Sequence, residues 1–198
     1  AGIGPLGPSP DPPPPPAPAA QAILATLTHP TLHCHLAVHN TTGLPDGWYS
    51  PDGTSRPAPA MDQTAAAFGY PPSKVHVAGM NLAVVITADI AAAVTAHGPA
   101  AYPRLLRSAG AIGQRVCSTA AEHGLFARPV RSVHEAAVEA AVEAPAGHDF
   151  LYLVLIGRSR VRCFPYDLSP LNTHSSAVLT AHSANQESSH HSGTTASM

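Results

Sequence analysis

Three histidines recur at alternate positions of one short segment and could bind a metal ion together. His33, His35 and His39 fall on the same face of residues 32–39 if that segment is a β-strand. Alternate residues of a strand stand roughly 6–7 Å apart, close enough for two imidazoles to share a metal. No acidic residue within the segment completes a ligand set. We therefore expect these histidines to face solvent or to pack on the sheet, and we predict no metal site.

The cysteines offer a second kind of chemistry. Cys34, Cys117 and Cys163 lie far apart, and none belongs to a C-x-x-C pair of the kind that forms zinc ribbons or redox couples. We therefore expect reduced, buried thiols.

Other catalytic motifs are weak or missing. Gly2-x-Gly4-x-x-Gly7 matches the dinucleotide fingerprint in letters only, because Pro5 interrupts it and a proline run follows where a helix should begin. The sequence has no phosphate-binding loop, no G-x-S-x-G and no H-E-x-x-H. Nucleotide hydrolases, esterases and zinc proteases are thus excluded on motif grounds.

Composition limits the partners. A chain of 198 residues with 44% hydrophobic residues is long enough for one domain with a real core. Only 11% of residues are charged and the net charge is -2, so we expect no nucleic-acid partner. No apolar run reaches the length of a membrane span and no secretory signal is recognisable, which predicts no membrane partner and a cytoplasmic location by default.

The chain divides into three parts by composition. Residues 1–18 are proline-rich and predict a disordered tail, and residues 169–198 are rich in Ser, Thr and His with too few apolar side chains to offset the entropy of ordering. Residues 19–168 form the predicted domain.

Within that domain, hydrophobic periodicity predicts helices and strands that alternate irregularly. Asp89 is the expected N-cap of one short helix, and Gly124 is expected to end the long helix, a buried rod at the centre of the fold. The predicted helices are 19–27, 60–68, 90–97, 102–123 and 134–143, and the predicted strands are 32–39, 48–50, 81–88 and 150–156.

Three segments, in order, resemble the FMN-dependent nitroreductase superfamily, nearest its SagB-type (azoline) dehydrogenase branch. Residues 29–49 look like the family's Pro-Ser turn, strand and G-L-x-x-G-x-Y hairpin. Residues 96–125 are similar to the start of its long helix and the G-x-x-x-Q signature, and residues 150–157 resemble its strand ending in I-G. The resemblance implies a nitroreductase-like α+β fold, with a central, mostly antiparallel sheet flanked by helices and a long central helix at 101–124.

The resemblance also implies a flavoprotein with FMN at an interface, made by a homodimer or a companion nitroreductase-like chain. The implied activity is that of an oxidoreductase, including azoline dehydrogenation in a modified peptide. Carried over by position, the implied cofactor contacts are Pro30, Thr31, Gln114, Pro129, Val130, Arg131, Ser132, Arg158, Arg160 and Arg162.

Several family features are missing, so two functions stay open. The family's N-terminal Arg-Arg-Ser has no counterpart, as in an N-terminally truncated member, and Arg131-Ser132 stands where Gly-Gly is expected. The Lys-Tyr pair of azoline dehydrogenases is also missing, so no catalytic residue is assigned. The favoured interpretation is an FMN-dependent enzyme, and the alternative is a non-catalytic partner or peptide-recognition subunit of the same fold.

Overall fold

A computed structural model describes residues 13–158 of the chain. These residues form a sheet with helices on both faces and a short 3-10 turn at Val77–Gly79. The helices are α1 (Ala17–Ala25), α2 (Ala60–Ala66), α3 (Ile90–His97), α4 (Ala101–Glu122) and α5 (Glu135–Val142), and the strands are β1 (His33–Val38), β2 (Gly47–Tyr49), β3 (Ser55–Pro57), β4 (Leu82–Ala88), β5 (Phe126–Val130) and β6 (Asp149–Gly157).

The six strands lie in the order β3-β2-β1-β4-β6-β5, and every neighbouring pair is antiparallel. This confirms the predicted α+β class and its antiparallel sheet. All seven residues of β4 are buried, as expected of an apolar, β-branched run in the middle of a sheet covered on both faces.

Each face of the sheet has its own hydrophobic core. On one face, α1 and α4 pack over alternate residues of the inner strands, such as Leu36 of β1 and Val84 of β4. On the other face, α2 and α5 cover the intervening residues, such as Ala37 and Val85. The period-two alternation of the strands thus assigns each side chain to one of the two cores.

The long helix α4 is amphipathic rather than buried on all sides. Its buried residues recur at three- and four-residue intervals and form one stripe, while Arg107, Gly110 and Gln114 on other faces are exposed. The predicted long central helix is therefore confirmed, and in the single chain it is buried on the side that faces the sheet. The apolar stripe alone is enough to attach the helix to the sheet.

Some elements differ from the sequence-based expectation. Strands β3 and β5 were not predicted, and β4 and β6 change register between Ile86 and Thr87 through a β-bulge. The predicted N-terminal tail, residues 1–18, is ordered at its end. Helix α1 begins at Ala17, and Pro16 forms a β-bridge with Thr42. The other tail predictions fall mostly outside the described residues. Among residues 13–158, no helix has the length and apolarity needed to cross a bilayer.

Candidate functional site

One end of the sheet brings together polar residues that are distant in sequence. His33 begins β1, Asp89 follows β4 and His148 precedes β6. Because the three strands are antiparallel, with His33 opposite Thr87 and Ala88 opposite Asp149, these side chains share one end of the sheet. The arrangement therefore gathers three titratable groups at this end of the sheet.

A cleft of about 460 Å³ opens at this end, between the sheet, α3 and the first turns of α4. The volume falls within the range of small-molecule sites. Its lining combines alanines of α3 with polar side chains, among them Thr31, His33, Asp89, His97, Arg104 and His148.

The histidines of this end are partly dehydrated. The rings of His33 and His148 meet edge to face, with centroids 4.4 Å apart. Within residues 13–158, neither His148 Nδ1 nor His35 Nε2 has a hydrogen-bond partner, although both atoms are buried. The pKa of His35 is lowered to about 4, first by burial of the ring and then by its neighbours His33, Arg56 and His148, with Asp52 opposing. Burial, followed by the nearby His33, also lowers the pKa of His148.

His39 does not join this cluster. It lies just beyond the other end of β1, where its Nδ1 is 2.7 Å from Asp46 Oδ2. The three histidines of the sequence motif therefore do not converge. Among the described residues, no three His, Cys, Asp or Glu side chains are placed to hold a metal ion.

The predicted flavin contacts Pro30 and Thr31 form an exposed turn before β1. The Thr31 hydroxyl lies 3.3 Å from His29 Nδ1, and Thr31 lines the cleft. Gln114 lies on an exposed face of α4.

The segment predicted as a loop after the long helix is partly a strand. Pro129 and Val130 belong to β5, an edge strand, where a proline costs no ladder hydrogen bond to a further strand. Arg131 and Ser132 follow it and are exposed; Arg131 lies 3.7 Å from Glu135, and the Ser132 carbonyl accepts a hydrogen bond from Gly69 N–H.

Arg158 directly follows β6 and is only partly exposed. Its Nε is buried and has no hydrogen-bond partner within the described part of the chain. A buried donor without an acceptor carries a free-energy cost, so an anionic ligand at this position would satisfy it. Arg160 and Arg162 lie outside the described residues.

The sheet register separates these predicted contacts into two groups. Val130 pairs with Leu153, so Arg158 lies five residues further along β6, roughly 17 Å away. Thr31 lies at the opposite end of β6, near the level of His148. The structure thus places the β5 segment and Arg158 on neighbouring strands and places Thr31 apart from Arg158.

Asp89, Arg104 and His148 were not predicted as site residues. Asp89 directly follows one predicted strand and His148 nearly precedes another, so antiparallel pairing of the two would have placed them at one end. Arg104 gave no such signal, because its position depends on the packing of α4.

No protein-family model matches the sequence, and none of the curated proteins does. Solved structures are similar in fold at low sequence identity. A candidate nitroreductase from Anabaena variabilis has a TM-score of 0.61 and 16% identity over 73% of this chain. An FMN-dependent nitroreductase from Clostridium difficile has a TM-score of 0.52 and 14% identity over 78% of this chain and 82% of its own.

A chain of the E. coli microcin synthetase McbBCD complex with truncated pro-MccB17 bound has a TM-score of 0.53 and 12% identity over 74% of this chain. The present chain spans 34% of the Anabaena protein and 65% of the microcin synthetase chain. These similarities show that the chain has a nitroreductase-like fold.

Proposed function

We propose that the chain binds FMN and acts as an oxidoreductase of the nitroreductase type. The observation that carries the proposal is the buried Nε of Arg158 just after β6, which has no hydrogen-bond partner among residues 13–158, in a sheet that has this fold. A phosphate is the natural acceptor for a guanidinium, which binds it through directed, charge-assisted hydrogen bonds.

The spacing of the predicted contacts suits an elongated ligand. The end of β5 and Arg158 lie on neighbouring strands, roughly 17 Å apart along them. One end of the ligand would contact residues 129–132 and the phosphate end would contact Arg158. When bound, FMN supplies the exchange of a hydride with a substrate, whereas the protein supplies binding and orientation.

The remaining contacts favour two chains. Thr31 lies near the level of His148, about ten residues along β6 from Arg158, which is roughly 30 Å. This distance is too long for one cofactor to contact both residues of the same chain. Thr31 and the exposed Gln114 would therefore contact a cofactor held by a second copy or by a companion nitroreductase-like chain.

We further propose that the substrate is a peptide carrying an azoline ring. The support is the SagB-type pattern of residues 29–49 and the similarity to a microcin synthetase chain whose complex has truncated pro-MccB17 bound. No side chain of the described part is assigned as the proton acceptor.

A flavin-binding assay tests the cofactor proposal. The full chain is purified, alone and with its candidate companion, and its visible absorbance is recorded before and after addition of FMN. We expect a flavin spectrum in the wild type and FMN binding weakened about tenfold or more in Arg158→Ala, since hydrogen bonds to charged groups contribute roughly 1.5–3 kcal/mol. Arg128→Ala is the matched control, because Arg128 is an exposed arginine of β5 next to the proposed site.

Two outcomes would count against the enzyme. A colourless protein that takes up no FMN under either condition would support the alternative, a non-catalytic partner or peptide-recognition subunit. The observation that favours this alternative is the sequence of α1, APAAQAILA, which has no basic residue to bind a phosphate. Wild-type FMN affinity in Arg158→Ala would remove the observation that carries the enzyme proposal.

A further inference from the structure

Helix α3 is an apolar helix that the rest of the described chain covers only in part, through Ile90 and Ala93. Its sequence is IAAAVTAH, yet none of its residues is buried. The helix is attached at its start by Asp89, whose side chain accepts a hydrogen bond from Ala92 N–H at 2.7 Å. Apolar surface left in water is unfavourable, so a ligand or a partner that covered α3 would gain free energy.

The cleft at the end of the sheet exists because the α3 side chains are small. Ala92, Ala93 and Ala96 face it and leave the space of about 460 Å³ between α3 and α4. On the other side, Leu105 and Ser108 of α4 line the same space. The lining therefore combines apolar side chains of α3 and α4 with polar groups from both helices and from the sheet end, and apolar walls with a few polar groups are typical of small-molecule sites.

The lining of the cleft holds one carboxylate, Asp89, and one guanidinium, Arg104. Asp89 is already engaged as the N-cap of α3, and a carboxylate there is also stabilised by the helix dipole. Arg104 has no carboxylate partner within residues 13–158. Its guanidinium donates to the His97 carbonyl at 3.3 Å, which holds it at the cleft.

The sheet end adds hydrogen-bonding groups beside the Asp89 carboxylate. His33 and His148 contact each other edge to face, and the Thr31 hydroxyl lies beside them in the lining. Because burial lowers the pKa of His148, that ring is neutral at neutral pH. Arg104 is the lining residue that carries a fixed positive charge.

From this combination we propose that the cleft between α3 and α4 binds a small organic carboxylate with a flat apolar body. The carboxylate pairs with Arg104, and the body lies on the alanines of α3 and on Leu105. The cleft lies at the opposite end of β6 from Arg158; it shares Thr31 with the proposed flavin contacts, whereas Arg104 is not one of them.

Benzoate is a suitable probe, and benzamide is its uncharged counterpart of the same shape. Isothermal titration of the full chain at low salt should show binding of benzoate and binding of benzamide at least about tenfold weaker, since a charge-assisted hydrogen bond contributes roughly 1.5–3 kcal/mol. Arg104→Ala should reduce the benzoate affinity to the benzamide level. Arg107→Ala, an exposed arginine of the same helix outside the cleft, should leave it unchanged.

A second pair of variants tests the space rather than the charge. Ala96→Phe fills the cleft and should abolish benzoate binding, whereas Ala91→Phe, on the same helix but outside the lining, should retain it. Circular dichroism confirms that each variant is folded. The proposal is overturned if the wild type does not bind benzoate, or if Arg104→Ala and Arg107→Ala bind it equally.

Discussion

The ring of Tyr152 occupies the space that a side chain at position 113 would need. A Cβ atom on Gly113 would lie 2.7 Å from Tyr152 Cε1, a distance well inside van der Waals contact. Gly113 lies in the buried stripe of α4, and Tyr152 lies on β6 next to the β-bulge. The absence of a side chain at Gly113 is therefore what lets α4 pack closely over the sheet at this point.

We predict opposite effects for two glycine substitutions in α4. Gly113→Ala should lower the free energy of unfolding by about 1 kcal/mol, because overpacking outweighs the gain in helix propensity. Gly110→Ala is the matched control: no atom lies within 4 Å of its Cβ position, so it should raise stability by roughly 0.5–1 kcal/mol. Urea denaturation measures both.

Removing the ring should reverse the first effect. In a Tyr152→Ala background, Gly113→Ala should become neutral or stabilising, because the steric conflict is gone. If both glycine substitutions stabilise the wild type equally, the close packing of Gly113 against Tyr152 is incorrect.

A second prediction concerns the buried indole of Trp48, the one tryptophan of the chain. Its Nε1–H donates to Gln63 Oε1 at 2.8 Å, which joins β2 to α2. Gln63→Ala leaves this donor unsatisfied and should lower the free energy of unfolding by roughly 1–2 kcal/mol. Urea denaturation followed by tryptophan fluorescence gives the measurement.

The control for this prediction removes the donor. Phenylalanine at position 48 has no N–H, so in a Trp48→Phe background Gln63→Ala should lower the free energy of unfolding clearly less than it does in the wild type. Equal costs in the two backgrounds would mean that the hydrogen bond contributes nothing.

Sequence patterns predicted the inner strands well and the edge strands poorly. The buried runs 81–88 and 150–156 contain enough apolar, β-branched residues to define strands by themselves. Strand β5 reads Phe-Ala-Arg-Pro-Val, with no alternation and with a proline, and its position is set by pairing with β6. Tertiary pairing, rather than local propensity, determines such an edge strand.

The candidate site likewise has a part that the sequence could predict and a part that it could not. Asp89 and His148 could be placed together from predicted strand ends alone, because antiparallel neighbours align those ends. Within residues 13–158, the lack of a partner for Arg158 Nε and the exposure of much of α3 could not be predicted, because both depend on which side chains fail to reach them. Absent contacts leave no local pattern in a sequence.

Cysteine reactivity gives a third prediction. Burial raises the pKa of Cys34 to about 12, with Arg115 opposing, and burial also raises the pKa of the partly exposed Cys117. Since the thiolate is the reactive form, iodoacetamide at pH 8 should modify Cys117 slowly and leave Cys34 intact in the folded protein. Mass spectrometry of tryptic peptides measures each site.

The same reaction in concentrated urea is the control, and there both cysteines should be alkylated. Alkylation of Cys34 under native conditions at the rate found in urea would contradict its burial beneath α1 and α4.

The last prediction concerns pH. The pKa of His35 is about 4 in the folded protein and 6.5 as a free side chain, so the unfolded chain binds more protons between these values. The free energy of unfolding should therefore be highest above pH 6.5 and fall as the pH falls toward 4, with His35 contributing on the order of 2 kcal/mol. Urea midpoints measured from pH 8 to pH 4 follow this change.

His35→Gln keeps a polar group at the position but cannot titrate, so its stability should depend less on pH. A smaller slope should remain from His29 and His148, whose pKa values are also lowered by burial. Above pH 7 the two profiles should run parallel, which separates the effect of titration from any change in packing. If the two profiles run parallel over the whole range, His35 is not held neutral in the folded protein. The lowered pKa that burial and its neighbours give His35 would then be incorrect.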